Sequence, residues 1–524
     1  MFEIRLLFGE NNMSGDEKSN KLSIYILLIL IGFGIYIASL SFFPKPGSLV
    51  TFADDAYYYL QISRNIALGN GSTFDGIGKT NGYHPLWLLI LIPVHFIVGF
   101  SRIGAVRGVF ILQGIFYFLT VFIIIKGLKS RLGFLGFLAI ITLSLYPRFF
   151  RIITCGFEAS LVILLMAFFW FYLTVYFKDS IKFKRSIILG AILGLLALAR
   201  LEVGIVTTGI TVILIYAISY KNLRLKSLLY SLIVLLISVI VFSPFLIWNY
   251  INFGHITTIS AALKSSFPRP FLHLNYLIEY PEYYAGVVLF LIVAILKRKE
   301  LEKRFYADFI IGISSIIILL IFILFGKWAH YYHHYSYTML SVFLVSSIVI
   351  SEICKSVSRF FLARVIKPLL IILLVVFITI SQIHFHNVKA KNNFMVASYN
   401  AAMWAKENTD DCAIFAIRDC GIFGYFSERR TINLDGVVNN FDYQKYLGDG
   451  KLGEYLKLYS VNFIGQYIAT MPEDYKEYTL SYQSHLYDSK SATFNVKSSN
   501  EVFRMAYYFY NNKSALSLFS WRIE

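Results

Sequence analysis

Apolar runs recur along the first 384 residues, at 23–43, 86–100, 108–125, 132–147, 157–177, 186–199, 203–220, 227–248, 283–296, 309–326, 335–353 and 368–384. A helix needs about 20 apolar residues to cross a bilayer core, fewer where neighbours shelter it. Lys and Arg cluster between the runs at 126–131, 178–185, 221–226, 297–304 and 355–367. These five clusters share one membrane side only if 86–100 does not cross. That run is short, begins after Pro85 and holds Pro93 and His95. It reads as a helix on or dipping into the outer face, which leaves eleven crossings. The inner loops and N-terminus then carry 22 Lys and Arg and the outer loops 11, the asymmetry that orients membrane proteins.

After 384 the pattern changes. "ASYNAAMWAKENT" reads as an amphipathic helix, "CAIFAI" and "TINLDG" as strands, and "DYQKYLGDGKLGEYLKLYSVNFIGQYI" as helix, loop, helix, strand. The fold class is thus an all-α polytopic membrane bundle of about 11 transmembrane helices, with a small C-terminal α/β extracytoplasmic domain. The domains are a cytoplasmic N-terminus at 1–22, a transmembrane domain at 23–384 with a long outer loop at 44–107, and the α/β domain at 385–524.

Composition agrees. The chain has 524 residues, 57% hydrophobic and 15% charged, against about 25% charged in soluble domains. Its net charge of +17 lies wholly before residue 385, where 33 basic residues meet 16 acidic ones. Membrane orientation accounts for that charge, so no nucleic-acid partner is expected. The predicted location is the cell membrane, multi-pass. Four cysteines match no zinc spacing.

Candidate chemistry gathers on the outer face. In "TFADDAYYYLQISRNIALGNGSTFDGIGKTNGYHPLW", Asp54 and Asp55 stand at a predicted helix start, where either can cap the helix. Glu158 opens a span in "CGFEASL", and Arg200 and Glu202 flank the turn in "LALARLEVG". Lys264 and Arg269 lie in the fifth outer loop, with Lys327, His330, His333 and His334 in the sixth. Charges at membrane depth are costly and are usually paired or functional. Carboxylates and cations on one face suit transfer from a phosphate-linked donor, which needs one base and cations for the departing phosphate.

"DDAYYYLQISRN…GNGSTFDG…TNGYHPLW" resembles the first-loop signature of C-type membrane glycosyltransferases, the GT-C fold. Protein O-mannosyltransferases and lipid A aminoarabinose transferases belong to it. "CGFEASL" is similar to that family's GME-like motif, and "LARLEVG" to its R-P-E-G turn with Leu201 in place of proline. "DCGIFGYFSERRTINLDGVVN" resembles its tail motif, with Cys420 in place of alanine. The resemblance implies transfer of a sugar from a polyprenyl-phosphate donor to an acceptor hydroxyl, with inversion, a first-loop Asp being the base. On that footing Asp54 and Asp55 are catalytic candidates. Arg200, Lys264 and His330 are candidate phosphate contacts, and Tyr58, His84, Glu158 and Glu202 shape the donor pocket. Some relatives hold a divalent metal at this loop and others none, so Mg or Mn at Asp54 and Asp55 stays open. The acceptor, whether protein, lipid or glycan, is not specified. The alternative is a flippase for lipid or lipid-linked sugar, against which stand the absence of a repeat and charges at span ends rather than mid-membrane.

The orientation is testable. Single cysteines at positions 128, 223 and 300 should resist an impermeant thiol reagent applied to intact cells, and one at 440 should react. Labelling of the first three from outside would reverse it.

Overall fold

The computed structural model describes residues 52–128, 133–176, 182–219, 224–272, 281–296, 304–328, 331–356, 362–390, 394–468, 476–486, 491–509 and 512–521, besides isolated positions. The predicted first span at 23–43, the N-terminus and His330 fall outside this set.

The membrane part is a run of helices. These are α1 Asp54–Ala67, α2 Pro85–Ile97, α3 Arg102–Leu128, α4 Gly133–Ser144, α5 Pro147–Ile153, α6 Ala159–Tyr176, α7 Phe183–Ala199, α8 Leu201–Ser219 and α9 Arg224–Phe253. After them come α10 Ile259–Lys264, α11 Pro281–Leu296, α12 Arg304–Phe325, α13 Met339–Ser356 and α14 Lys367–Ala390. Among the described residues five helices are long and apolar enough to cross a membrane. The 13 residues of α2 reach only about 20 Å, short of the ~30 Å hydrocarbon core. Gly190 and Gly194, one turn apart on α7, let α9 approach closely. A Cβ on Gly190 would lie 2.7 Å from Val234 O, and one on Gly194 2.9 Å from Ser238 O. Small residues at such spacing are the usual means of packing helices where lipid removes the hydrophobic drive.

The C-terminal part begins with α15 Phe394–Asn408 and alternates β1 Ile414–Ile417, α16 Gly421–Phe426, β2 Arg430–Asn433, α17 Phe441–Gly448, α18 Leu452–Leu458 and β3 Phe463–Ile468. The strands β4 Glu477–Tyr482 and β5 Ala492–Lys497 form a separate antiparallel pair. β6 Glu501–Phe509 and β7 Asn512–Ser520 complete a five-stranded sheet of order β2-β1-β3-β7-β6. β1 pairs parallel with β2 and β3, while β7 runs antiparallel to β3 and β6. All four β1 residues are buried, as expected of a strand covered on both faces. The segment "DCGIFGYF" begins two residues beyond the end of β1 and runs into α16, all six residues of which are buried.

This domain sits directly on the long loop that carries α1, through contacts that leave no room for a side chain. A Cβ on Gly82 would lie 1.9 Å from Val437 O, one on Gly421 2.0 Å from Asp54 O, and one on Gly424 2.6 Å from Phe74. Arg102 Nη1 donates to Tyr425 O, its guanidinium lies 5.1 Å from the centre of the Tyr425 ring, and the Tyr425 hydroxyl donates to Arg102 O at 3.0 Å. Backbone cannot yield as a flexible side chain can, and overpacking typically costs about 1–3 kcal/mol. Gly82→Ala should therefore lower the melting temperature of the purified protein and speed protease release of the C-terminal domain. Unchanged protease resistance would show that the contact is slack.

Candidate active site

Three elements deliver the outer-face residues. In α1 the N-cap is Ala53, and no side chain caps the helix. Capping by Asp54 or Asp55 does not occur, because Asp54 faces away to the C-terminal domain. Its Oδ2 accepts from Gly421 N and its Oδ1 from Ile422 N, both at 2.8 Å. Asp54 is 6% exposed. Burial pushes its carboxyl well above the usual range, against the two amide donors that favour the charged form. Asp55 turns the other way and keeps 37% of its side chain exposed, with Oδ2 3.5 Å from Lys264 Nζ.

Lys264 ends α10, and the register of two outer loops fixes it. Ser265 and Gly326 form an antiparallel bridge, and Lys327 N donates to Lys264 O at 2.9 Å. The two lysines are thus neighbours across loops. Lys264 Nζ also lies 5.7 Å from the centre of the Trp328 ring, a cation–π arrangement. Asn81 joins the first loop to this region. It donates to Asn249 Oδ1 at 3.1 Å, and its Oδ1 accepts from Ile259 N at 2.9 Å.

Deeper lies an ionic cluster. Arg200 is 3% exposed, since α7 ends at Ala199 and α8 begins at Leu201. Its Nε donates to Glu202 Oε1 at 2.5 Å and its Nη1 to Glu158 Oε1 at 3.2 Å. Nη1 also reaches His333 O at 3.4 Å, and the His333 ring stacks on Phe157 at 4.2 Å. His84 Nε2 lies 3.8 Å from the same Glu158 oxygen. Burial holds His84 below the ordinary imidazole range, partly offset by Glu158 and Glu202. The backbone of "CGF" fits under α1. Gly156 has φ 81°, and a Cβ there would lie 2.7 Å from Phe52 and 2.9 Å from Ala56.

The structure therefore divides the residues picked out in the sequence. Asp55 and Lys264 meet in the open. Glu158, Arg200, Glu202 and His84 meet in a buried cluster. Arg200 is no free phosphate cation, because two carboxylates already take its charge. Tyr58 does not line the open cleft. It is 3% exposed, and its hydroxyl accepts from Cys420 N at 3.2 Å and Asn433 Nδ2 at 3.0 Å in the seam between the domains. Asp419 and Asp435, just beyond the ends of β1 and β2, escaped the sequence reading. Their signal was two aspartates at or just beyond the carboxyl ends of the segments "CAIFAI" and "TINLDG", both read as strands. Among the described residues no group of three His, Cys, Asp or Glu side chains is placed to hold a metal ion. Both Asp54 oxygens are already engaged by backbone amides.

Comparisons with known proteins point one way. Residues 385–509 match a family described as a domain of unknown function, DUF8728. No curated protein matches the chain. Among solved structures, ArnT from Cupriavidus metallidurans bound to undecaprenyl phosphate is similar over 94% of this chain and 97% of its own, with TM-score 0.59 and 10% identity. The archaeal oligosaccharyltransferase AglB from Archaeoglobus fulgidus, in complex with an inhibitory peptide and a dolichol-phosphate, is similar over 84% of this chain and 69% of its own, with TM-score 0.53 and 11% identity. The fold is the GT-C fold of membrane glycosyltransferases, the superfamily that the motifs resemble.

Removing Arg200 would leave two carboxylates in the buried cluster without their cation, and breaking a buried pair typically costs about 3–5 kcal/mol. Arg200→Gln should lower the melting temperature in detergent, and adding Glu158→Gln should recover part of the loss. Normal stability with weakened lipid-phosphate binding would return Arg200 to the donor.

Proposed function

We propose that the protein is a membrane glycosyltransferase moving a sugar from a polyprenyl-phosphate donor to an acceptor hydroxyl on the extracytoplasmic face. The observation that carries this reading is the pairing of a solvent-accessible carboxylate, Asp55, with Lys264 at 3.5 Å, in the GT-C fold. A base must reach the proton it takes, and Asp55 is open to an acceptor where Asp54 is closed. In the reaction the acceptor hydroxyl loses its proton to Asp55 as its oxygen attacks the anomeric carbon. The bond from that carbon to the phosphate oxygen breaks, and the lipid phosphate leaves with the electron pair. Lys264 holds the growing negative charge, with exposed Lys327 beside it. Phosphate is a good leaving group, so no acid is needed, and a single displacement inverts the anomeric centre. The GT-C neighbours support a lipid-linked donor: the ArnT structure holds undecaprenyl phosphate and the AglB structure a dolichol-phosphate.

Mutation of the acidic pair tests the roles. Asp55→Asn should cut transfer by about 100- to 10,000-fold, the usual worth of a general base, with normal stability and donor binding. Asp54→Asn should lower stability as well, because its NH₂ would face one of the two N–H donors that now meet an oxygen. Lys264→Gln should weaken binding of undecaprenyl phosphate. The reverse pattern for the two aspartates would make Asp54 the base.

A further inference from the structure

In open sheets with parallel strands, ligands bind in the crevice beyond the carboxyl ends of the strands, where neighbouring connections diverge. Here β1 pairs parallel with β2 on one side and β3 on the other. Beyond β1 the chain runs through Arg418 and Asp419 to Gly421, whose N–H meets Asp54. Beyond β2 it reaches Asp435. The carboxyl end of β1 therefore leads directly to the start of α1.

Asp419 is held for exposure rather than for packing. Its backbone sits in the left-handed region at φ 42°. Its N–H donates to Asp435 Oδ2 at 2.6 Å, and its carbonyl accepts from the Tyr467 hydroxyl at 3.2 Å. Asp435 is further held by Arg418 Nε at 3.1 Å and Asn433 Nδ2 at 3.3 Å. The Asp419 side chain is exposed, and among the described residues its carboxylate forms no hydrogen bond or ion pair. Asn433, 2% exposed, leaves its Oδ1 without a partner in the same seam. Asp55 and Lys264 both act on Asp419 electrostatically.

We propose that Asp419 is an acceptor-binding residue supplied by the C-terminal domain, hydrogen-bonding a hydroxyl next to the reacting one and so setting the acceptor on Asp55. This rests on the transferase reading above and adds to it the part that selects the acceptor. The acceptor class is a polyhydroxylated one, such as a sugar unit, because a carboxyl recognises a neighbouring hydroxyl. Desolvation by the surrounding chain, then Asp435 and Asp55, push the Asp419 carboxyl above its ordinary range, against Arg418 and Lys264.

The test uses the full-length protein in detergent, with lipid-linked sugars and acceptors extracted from membranes of cells lacking the gene and the sugar radiolabelled. Asp419→Asn and Asp419→Gly are compared with the unaltered protein. The glycine relieves the left-handed backbone, so it preserves the fold while removing the carboxyl. Both variants should need at least tenfold more acceptor extract for half-maximal transfer, while affinity for undecaprenyl phosphate stays within twofold. Unchanged acceptor dependence overturns the proposal, as does an equal loss of undecaprenyl phosphate binding, which would mark Asp419 as part of the domain contact. Normal transfer by Asp55→Asn with impaired Asp419 variants counts against the base alone. No transfer by the unaltered protein overturns both.

Discussion

The carboxylate of Asp54, accepting two backbone N–H groups from the far domain, is the bond on which the outer face is organised. A buried carboxylate without partners would be costly. Here each oxygen has an amide donor at 2.8 Å, and those amides belong to a segment that would otherwise have to be solvated. The same bond fixes the roll of α1. With Asp54 turned to the C-terminal domain, Asp55 must face the cleft, Tyr58 the seam and Tyr59 the first loop, where its hydroxyl accepts from His84 N at 3.1 Å. The glycines at 82, 421 and 424 are needed because this fit brings backbone onto backbone or ring.

Two kinds of electrostatics sit a short way apart. The buried Glu158–Arg200–Glu202 cluster is structural in character. Its charges are satisfied mostly by each other, and it ties the outer ends of α6, α7 and α8 to the loop carrying His333. The Asp55–Lys264 pair is open, weakly held at 3.5 Å, and free to exchange partners with a substrate. An exposed pair of this kind adds little to stability, which leaves its residues open to selection for chemistry.

Much of the architecture was legible in the chain. The strands around 412–417 and 430–433 and the helices between 394 and 458 stand close to where their hydrophobic periodicity puts them, because their cores are local. The acidic pair was also legible, since two carboxylates beside a span are conspicuous. Which acid is free was not, because that depends on a bond between residues 367 positions apart. The surroundings of Arg200 were hidden for the same reason. Glu202 is adjacent in sequence, but Glu158, 42 residues away, completes its neutralisation. Lys264 and Asp55 were both candidates in the sequence, but their pairing at 3.5 Å only became visible once the loops were assembled.

The distance along the chain between Asp54 and its partners also sets an order of events during synthesis. The first loop emerges 367 residues before the amides that complete it. At about 5–20 residues per second, that is a delay on the order of 20–70 s. For that time Asp54 lacks its ligands and α1 lacks the contact that aims Asp55. A ribosome that stalls within the membrane segments thus releases a product in which Asp54 has no amide partners and α1 has no contact to fix its roll.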